Sequence, residues 1–339
     1  MSHSEETVLH VEGVARQFLI GRRSLWDRLT RKRMKYVRAV EGATFSVGAG
    51  ETLVVLGESG SGKTTLGRLV VGLERPDAGS VTLRGEKVLA VREHRTQRGR
   101  LQMVFQDPGS SLDPFMKVKD VVAEPLAMSG LSSAEKLEKV LQATESVGLD
   151  ASVLDRRASE LSGGQKQRVS VARAIISGPE VIVLDEPTSS IDVSIQAQVL
   201  NLLVELQKSN HYAYVLITHD PNVARFMADG IAVMYLGKIV ESGRASQVLL
   251  QPRHPYTQAL LSSAPKLGET SIPELIKGEP PSLINLPPGC PYAPRCPRAM
   301  KICTAKEPGF YGVEGSSVAC YLYDKDVMGE GRLANQPDV

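Results

Sequence analysis

The chain has 339 residues, 42% hydrophobic and 23% charged, a balance that supports a sizeable buried core in one large or two modest domains. No apolar run approaches the ~18–20 residues that a bilayer span needs, and the opening MSHSEETVLHVEG lacks the apolar core of a secretory signal, so a cytoplasmic location is expected. A formal charge of +2 gives no global pull toward nucleic acid.

Val8 to Phe18 predicts a strand. A basic segment follows, with Arg22, Arg23, Arg28, Arg31, Lys32, Arg33, Lys35 and Arg38 crowded together. Leu25, Trp26 and Leu29 lie among these charges, which leaves two readings: a short amphipathic helix facing a membrane subunit or lipid headgroups, or a solvated basic face. Alternation resumes in Ala43 to Val47, and the turn Gly48-Ala49-Gly50 feeds an apolar strand, Leu53 to Leu56. That strand runs directly into Gly57-Glu58-Ser59-Gly60-Ser61-Gly62-Lys63-Thr64-Thr65, after which Leu66 to Leu73 has helical spacing. Strand, glycine loop and helix together make a phosphate-binding unit. Gly57 to Thr64 fits G-x-x-x-x-G-K-[ST], in which backbone N–H groups wrap phosphates at a helix N-terminus. Gly57, Ser59, Gly60, Ser61, Gly62, Lys63, Thr64 and Thr65 are therefore the expected nucleotide contacts. Lys63 would reach the β- and γ-phosphates, and the Thr64 hydroxyl would bind Mg²⁺.

From Gln106 to Arg168 the pattern is mainly helical, with Val118 to Met128, Ala134 to Val147 and Gln165 to Ser177 as candidate helices. This predicts a helical subdomain over about residues 107–177, inserted into an α/β core. The apolar strand Val181 to Leu184 ends in Asp185 and Glu186, and Tyr214 to Ile217 ends in Thr218-His219-Asp220. Near-continuous apolar strands alternating with helices imply a mostly parallel sheet. Asp185 is placed to hold the Mg²⁺ through a water, and Glu186 to serve as general base toward the γ-phosphate. Two solvated acids at a strand end would look the same; Lys63 upstream argues for the site.

Leu161-Ser162-Gly163-Gly164-Gln165-Lys166-Gln167-Arg168 opens another helix with a hydroxyl and two glycines, a second anion site that one nucleotide in one chain does not need. This octapeptide resembles the ABC signature, and Leu184 to Asp192, LDEPTSSID, resembles that family's Walker B and D-loop. The likeness covers most of residues 8–245. It implies an α/β P-loop (RecA-like) ABC ATPase core that uses ATP and Mg²⁺, and two such domains paired head to tail. Ser162, Gly163, Gly164 and Gln165, with Asp192 in the D-loop, would then complete the site on the partner's phosphate loop. By the same resemblance Gln106 is the Q-loop glutamine that touches Mg²⁺ and relays nucleotide state to membrane subunits. His219 is the switch histidine that contacts the γ-phosphate. The implied catalytic set is Glu186, His219, Gln106 and Lys63, and the Mg²⁺ set is Thr64, Gln106 and Asp185. The family stacks adenine on an aromatic shortly after the first strand; Phe18 fits the register, Tyr36 is the alternative, and either also reads as packing. Thr64 stands where serine is more usual, and Ser190-Ile191 where alanine-leucine is frequent; neither departure removes a reacting group.

After about Ser246 the text turns proline-rich without sustained periodicity. A boundary there gives a nucleotide-binding domain over residues 1–245 and a small irregular domain over 246–339. All four cysteines, Cys290, Cys296, Cys303 and Cys320, lie in this last part, and in a reducing compartment such clustering suggests metal before disulfides. Arg253-His254-Pro255-Tyr256-Thr257-Gln258-Ala259-Leu260-Leu261 and Gly289-Cys290-Pro291-Tyr292-Ala293-Pro294-Arg295-Cys296-Pro297 resemble the tail of ATP-binding subunits of oligopeptide and dipeptide permeases, as does Asp192 to Gln198. In several such subunits the tail cysteines hold a [4Fe–4S] cluster, implied here in a structural role, with zinc as the alternative occupant and unliganded thiols as the plain reading. The implied partners are a second ABC ATPase subunit, a sister subunit in preference to another copy, two transmembrane permease subunits and an extracellular solute-binding protein. The implied place is peripheral, on the cytoplasmic face of the membrane. The solute would be an oligopeptide or dipeptide, with an oligosaccharide or metal chelate as the same-class alternative. A soluble ABC ATPase acting on nucleic acid or ribosomes rests on the basic segment alone. Such proteins carry two ATPase units or long coiled coils; this chain shows no internal repeat and no long heptad pattern, so no nucleic-acid partner is expected.

Overall fold

The computed structural model describes residues 7–20, 35–89, 99–189, 191–263, 278–279, 281–284 and 286–328. The residues Arg22 to Arg33, Leu25, Trp26 and Leu29 among them, and Ser190 lie outside the described residues.

Strands β1 (Thr7–Ile20) and β2 (Lys35–Gly48) form a long antiparallel pair. β1 also pairs antiparallel with β4 (Ala78–Leu83), which carries the short β5 (Glu86–Lys87). The larger sheet is built on β3 (Thr52–Leu56), β6 (Leu101–Val104), β7 (Val181–Asp185), β8 (Ala213–Thr218), β9 (Gly230–Tyr235) and β10 (Lys238–Arg244). β9, β3, β8, β7 and β6 lie side by side and parallel. Every residue of β3, β7 and β8 is buried, which explains their unbroken apolar text: strands covered on both faces have no solvent side to alternate toward.

Two apolar cores flank this sheet. On one face Val55, Val183 and Ile217 pack with Leu66 and Leu69 of helix α1 (Lys63–Val70) and with Leu9, Val11 and Val40 of the antiparallel sheet. On the other, Val54, Leu184 and Leu216 pack with α2 (Val118–Ala123), α3 (Ser133–Ser146), α4 (Gly163–Ile175) and α5 (Val193–Asn210). The helix expected over Val118 to Met128 stops at Ala123 and tightens into a 3₁₀ turn over Glu124–Leu126. Pro125 lacks the N–H that would continue the α-helix.

The tail is more regular than its text. Residues 255–262 form helix α7, which follows α6 (Pro221–Met227) in chain order, and β11 (Tyr311–Val313) and β12 (Ser316–Val318) extend the large sheet. β12 pairs with β10 through Glu241 opposite Val318 and Ser242 opposite Ser317. Cys290, Tyr292, Cys303 and Tyr321 belong to the same apolar core as Leu184. Strands of three residues are too short to register in hydrophobic alternation, so only the pairing partner exposes them. No helix among the described residues is long and apolar enough to cross a membrane.

Candidate active site at the strand ends

The loops after β3, β6, β7 and β8 leave the same edge of four adjacent parallel strands, the carboxyl edge where open α/β sheets bind ligands. The first is the glycine loop. Gly57 has no room for a side chain, since a Cβ would stand 2.2 Å from the Met234 carbonyl oxygen. Gly62 caps α1 at φ 104°, and a Cβ there would meet the Ala39 carbonyl oxygen at 2.0 Å. No side chain caps α1, which leaves its first N–H groups for a ligand. Lys63 is 4% exposed; its Nζ donates to the carbonyls of Gly57 (2.8 Å) and Glu58 (2.7 Å) and to Ser61 Oγ (3.4 Å). Burial lowers the Lys63 pKa, while Glu186, Asp185 and Glu58 oppose that shift.

One residue on, the Thr64 hydroxyl donates to Asp185 Oδ1 at 3.2 Å, so the hydroxyl and carboxylate expected around Mg²⁺ converge. Burial raises the Asp185 pKa, against the Thr64 bond, and the neighbouring Glu186 charge pushes the same way as burial. Glu186 sits in the left-handed region at φ 44°, a conformation that costs on the order of 1–3 kcal/mol for a side-chain-bearing residue. Its N–H donates to the Ile217 carbonyl (2.9 Å), which pins the turn to β8. Its side chain is 12% exposed and engaged at both oxygens. Gln106 Nε2 donates to Oε2 at 2.9 Å, and His219 Nδ1 lies 3.2 Å from Oε1. Lys63, Thr64, Gln106, Asp185, Glu186 and His219 are thus one contiguous group.

Ser162 and Gln165 bond each other instead of this group. The Ser162 hydroxyl accepts from Gln165 N (3.3 Å), Gln165 Oε1 accepts from Ser162 N (3.1 Å), and the reciprocal cap starts α4. A Cβ on Gly164 would meet Ile195 Cγ2 at 2.9 Å, so the glycine lets α4 approach α5. Asp192 precedes α5 and makes no side-chain cap. Ser162, Gly163 and Asp192 are exposed. Phe18 and Tyr36 lie on paired strands, but Phe18 stands opposite Val37 and Tyr36 opposite Leu19, which sends them to opposite faces. The Arg16 guanidinium stacks over the Phe18 ring, 4.9 Å from its centre, and Tyr36 is exposed.

Sequence reasoning missed a set of tail contacts to the glycine loop. Arg295 Nη1 and Nη2 donate to the two carboxylate oxygens of Glu58 at 2.8 and 3.1 Å, and Glu58 N donates to the Tyr256 hydroxyl at 2.8 Å. Both residues lie inside the tail segments already singled out, yet nothing local says that the tail returns to the loop. Beside Arg295, the four cysteines line one cavity together with His254 and Tyr292. Burial pushes the Cys290 thiol up to about 11 and Cys320 up to about 12, and it also raises Cys296. No three His, Cys, Asp or Glu side chains among the described residues converge as ligands of a single metal ion.

Residues 40–189 match the family model described as ABC transporter, and residues 240–303 match the oligopeptide/dipeptide transporter C-terminal region. The dipeptide transport ATP-binding protein DppF of Escherichia coli (strain K12) is 43% identical over 297 residues, covering 86% of this chain and 89% of that relative. The chain belongs to the ABC transporter ATP-binding proteins. This ABC ATPase is also 41% identical over 329 residues to the oligopeptide transport ATP-binding protein AppF of Bacillus subtilis (strain 168), covering 94% of the chain and 98% of the relative. Its fold matches that of the ATP-binding cassette MJ0796 in a dimeric post-hydrolysis state bound to ADP and Pi, with a TM-score of 0.60 and 26% identity over 70% of this chain and 98% of that one. The chemistry of the ABC ATPase is ATP hydrolysis.

Proposed function

We propose that this ABC ATPase is the motor subunit of a peptide importer, working at the cytoplasmic face of a membrane on two transmembrane permease subunits. A solute-binding protein outside the membrane delivers oligopeptides or dipeptides. The observation that carries this reading is one chain joining an intact Lys63, Thr64, Asp185 and Glu186 site to a C-terminal region of the oligopeptide/dipeptide transporter type. The names of DppF and AppF point to the same solutes.

The N–H groups of the glycine loop and the Lys63 ammonium take the ATP phosphates, Lys63 exchanging its carbonyl partners for phosphate oxygens. Thr64 and Asp185 hold Mg²⁺ together with phosphates and waters, which is how this ion is ordinarily bound, and Gln106 completes the set. When bound, Mg²⁺ neutralises charge that develops on the transferring phosphoryl group. Glu186 takes a proton from the water as its oxygen attacks the γ-phosphorus and the bond to ADP breaks. Gln106 and His219, already on the Glu186 carboxylate, aim it and sense the phosphate. The exposed Ser162, Gly163 and Asp192, with Gly164 and Gln165, serve the site of a partner ATPase, a sister subunit in preference to a second copy. Phe18 or Tyr36 stacks on adenine.

Residues 1–245 then form the nucleotide-binding unit, with the helical subdomain at about 107–177, and 246–339 the cysteine-bearing unit. The four cysteines hold a [4Fe–4S] cluster there. The four thiols line one cavity, and thiolates are the soft donors that such a cluster takes, with zinc as the alternative occupant. The raised pKa values of Cys290, Cys296 and Cys320 keep those thiols protonated near neutrality unless a metal takes the place of the protons.

The test is anaerobic purification of the tagged chain from its native membranes, with mass spectrometry of the co-purifying proteins and iron and sulfide analysis of the same sample. Two polytopic membrane proteins, a sister ATPase and near-stoichiometric iron and sulfide are expected. Ribosomal proteins or nucleic acid without membrane subunits would overturn the importer; a chain without iron would remove the cluster.

A further inference from the structure

The Glu58 carboxylate is an odd neighbour for triphosphate, since it sits inside the loop that must hold polyanionic ATP. Its charge is met from the far end of the chain. Arg295 forks onto both carboxylate oxygens at 2.8 and 3.1 Å, its side chain is 5% exposed, and Nη1 also reaches the Tyr235 hydroxyl at 3.3 Å. Such a bidentate pair fixes orientation as well as charge. The Glu58 N–H donates to Tyr256, fully buried in α7, and the Glu58 carbonyl accepts from Lys63 Nζ. Glu58 is therefore held on three sides, by the tail through its carboxylate and N–H and by the phosphate-binding lysine through its carbonyl.

The grip on Arg295 is itself built from the cysteine turn. Arg295 N donates to the Tyr292 carbonyl (2.9 Å), Ala293 N to that of Cys290 (3.0 Å), and Cys290 N to that of Cys303 (2.8 Å). Tyr235, Tyr256 and Tyr292 pack together beside it with ring centres 4.5 to 5.4 Å apart, Tyr235 and Tyr292 edge to face and the other two pairs tilted.

We propose that Arg295 is a positioning residue for ATP: it cancels the Glu58 charge and fixes the glycine loop, so that the order of the cysteine turn sets nucleotide affinity. The idea rests on the assignment of this loop to ATP phosphates. It yields effects of opposite sign from the two partners. Arg295→Ala leaves a carboxylate facing phosphate, whereas Glu58→Gln leaves a cation there. A purely structural clamp predicts that both changes weaken binding, because breaking a pair from either side loosens the loop.

The measurement is binding of MANT-ATP with Mg²⁺ to the anaerobically purified full-length chain, together with KM and kcat for hydrolysis. Arg295→Ala is expected to raise Kd and KM about tenfold, equivalent to roughly 1.4 kcal/mol, with kcat changed less than about twofold. Glu58→Gln is expected to leave Kd unchanged or tighten it up to about threefold, and the double variant to bind within about threefold of the parent. Arg295→Lys keeps the charge but loses the fork, and it is expected to fall between parent and Arg295→Ala. If Arg295→Ala does not fold, Glu58→Gln and Arg295→Lys decide the matter. Weaker binding in Glu58→Gln, unchanged Kd in Arg295→Ala, or a double variant no better than Arg295→Ala would overturn the positioning role. A parent chain that binds no MANT-ATP would instead overturn the assignment of the loop itself.

Discussion

At the strand ends, burial gathers charges: Lys63, Asp185 and Glu186 lie within one group, each partly compensated by a hydroxyl, an amide or an opposite charge. In the cysteine cavity, burial gathers thiols among tyrosines and pushes the ionisation of Cys290, Cys296 and Cys320 upward. In the first region the polar groups satisfy one another. The second gathers four soft donors around one cavity, and Cys303 Sγ accepts from Met300 N. The first arrangement spaces and aims charges, whereas the second brings thiols to one cavity. The two regions are joined at Glu58, which faces Lys63 through its carbonyl and Arg295 through its carboxylate.

Glu186→Gln separates the regions most sharply. The amide keeps the shape and the contact with Gln106 but cannot accept the proton from water, and general bases contribute about 10²- to 10⁴-fold. Phosphate release should fall by that factor while MANT-ATP affinity and iron content stay at parental levels; substantial residual turnover would remove the base role. Cys303→Ser probes the other side. Cys303 is buried, its Sγ accepts from Met300 N (3.4 Å), and its carbonyl accepts from Cys290 N. A hydroxyl is a poor soft-metal donor and is costly to bury, so iron content should drop by more than about half and unfolding in denaturant should come about 1–3 kcal/mol sooner. Because Cys303 holds the turn bearing Arg295, ATP affinity should fall as well. An unchanged affinity after iron loss would show the two regions to be independent.

The sequence made these regions legible to different depths. The glycine loop, the acids after Val181 to Leu184 and the histidine after Tyr214 to Ile217 are readable because each follows a fully buried parallel strand, and such strands write unbroken apolar text. Their convergence follows from the parallel order of β3, β8, β7 and β6. The left-handed turn at Glu186 leaves no trace in residue type. In the tail, the cysteines could be seen but not what surrounds them. β11 and β12 are three residues each and acquire their meaning only from pairing with β10. The Arg295–Glu58 pair spans 237 positions, and no local pattern carries information over that separation. Arg295 was visible only as one residue of a Pro-Arg-Cys run.

The smallest effect comes from a site outside both regions, and it sharpens their contrast. Helix α3 begins with a reciprocal cap in which the Ser132 hydroxyl accepts from Glu135 N (3.3 Å) and Glu135 Oε2 accepts from Ser132 N (2.7 Å). The helix buries Val140, Ala143 and Thr144 and presents its other face to solvent, so it depends on its cap more than a fully packed helix would. Ser132→Ala removes one acceptor for an orphan N–H and should cost about 1 kcal/mol, lowering Tm by about 2 °C in a chain of this size. KM for ATP, kcat and iron content should not change. That combination matters for Arg295: if a general loss of about 1 kcal/mol leaves ATP affinity intact, the tenfold loss expected from Arg295→Ala cannot be attributed to overall loosening. A Ser132→Ala chain that bound MANT-ATP as poorly as Arg295→Ala would erase the distinction and return the Arg295 contact to an ordinary stabilising role.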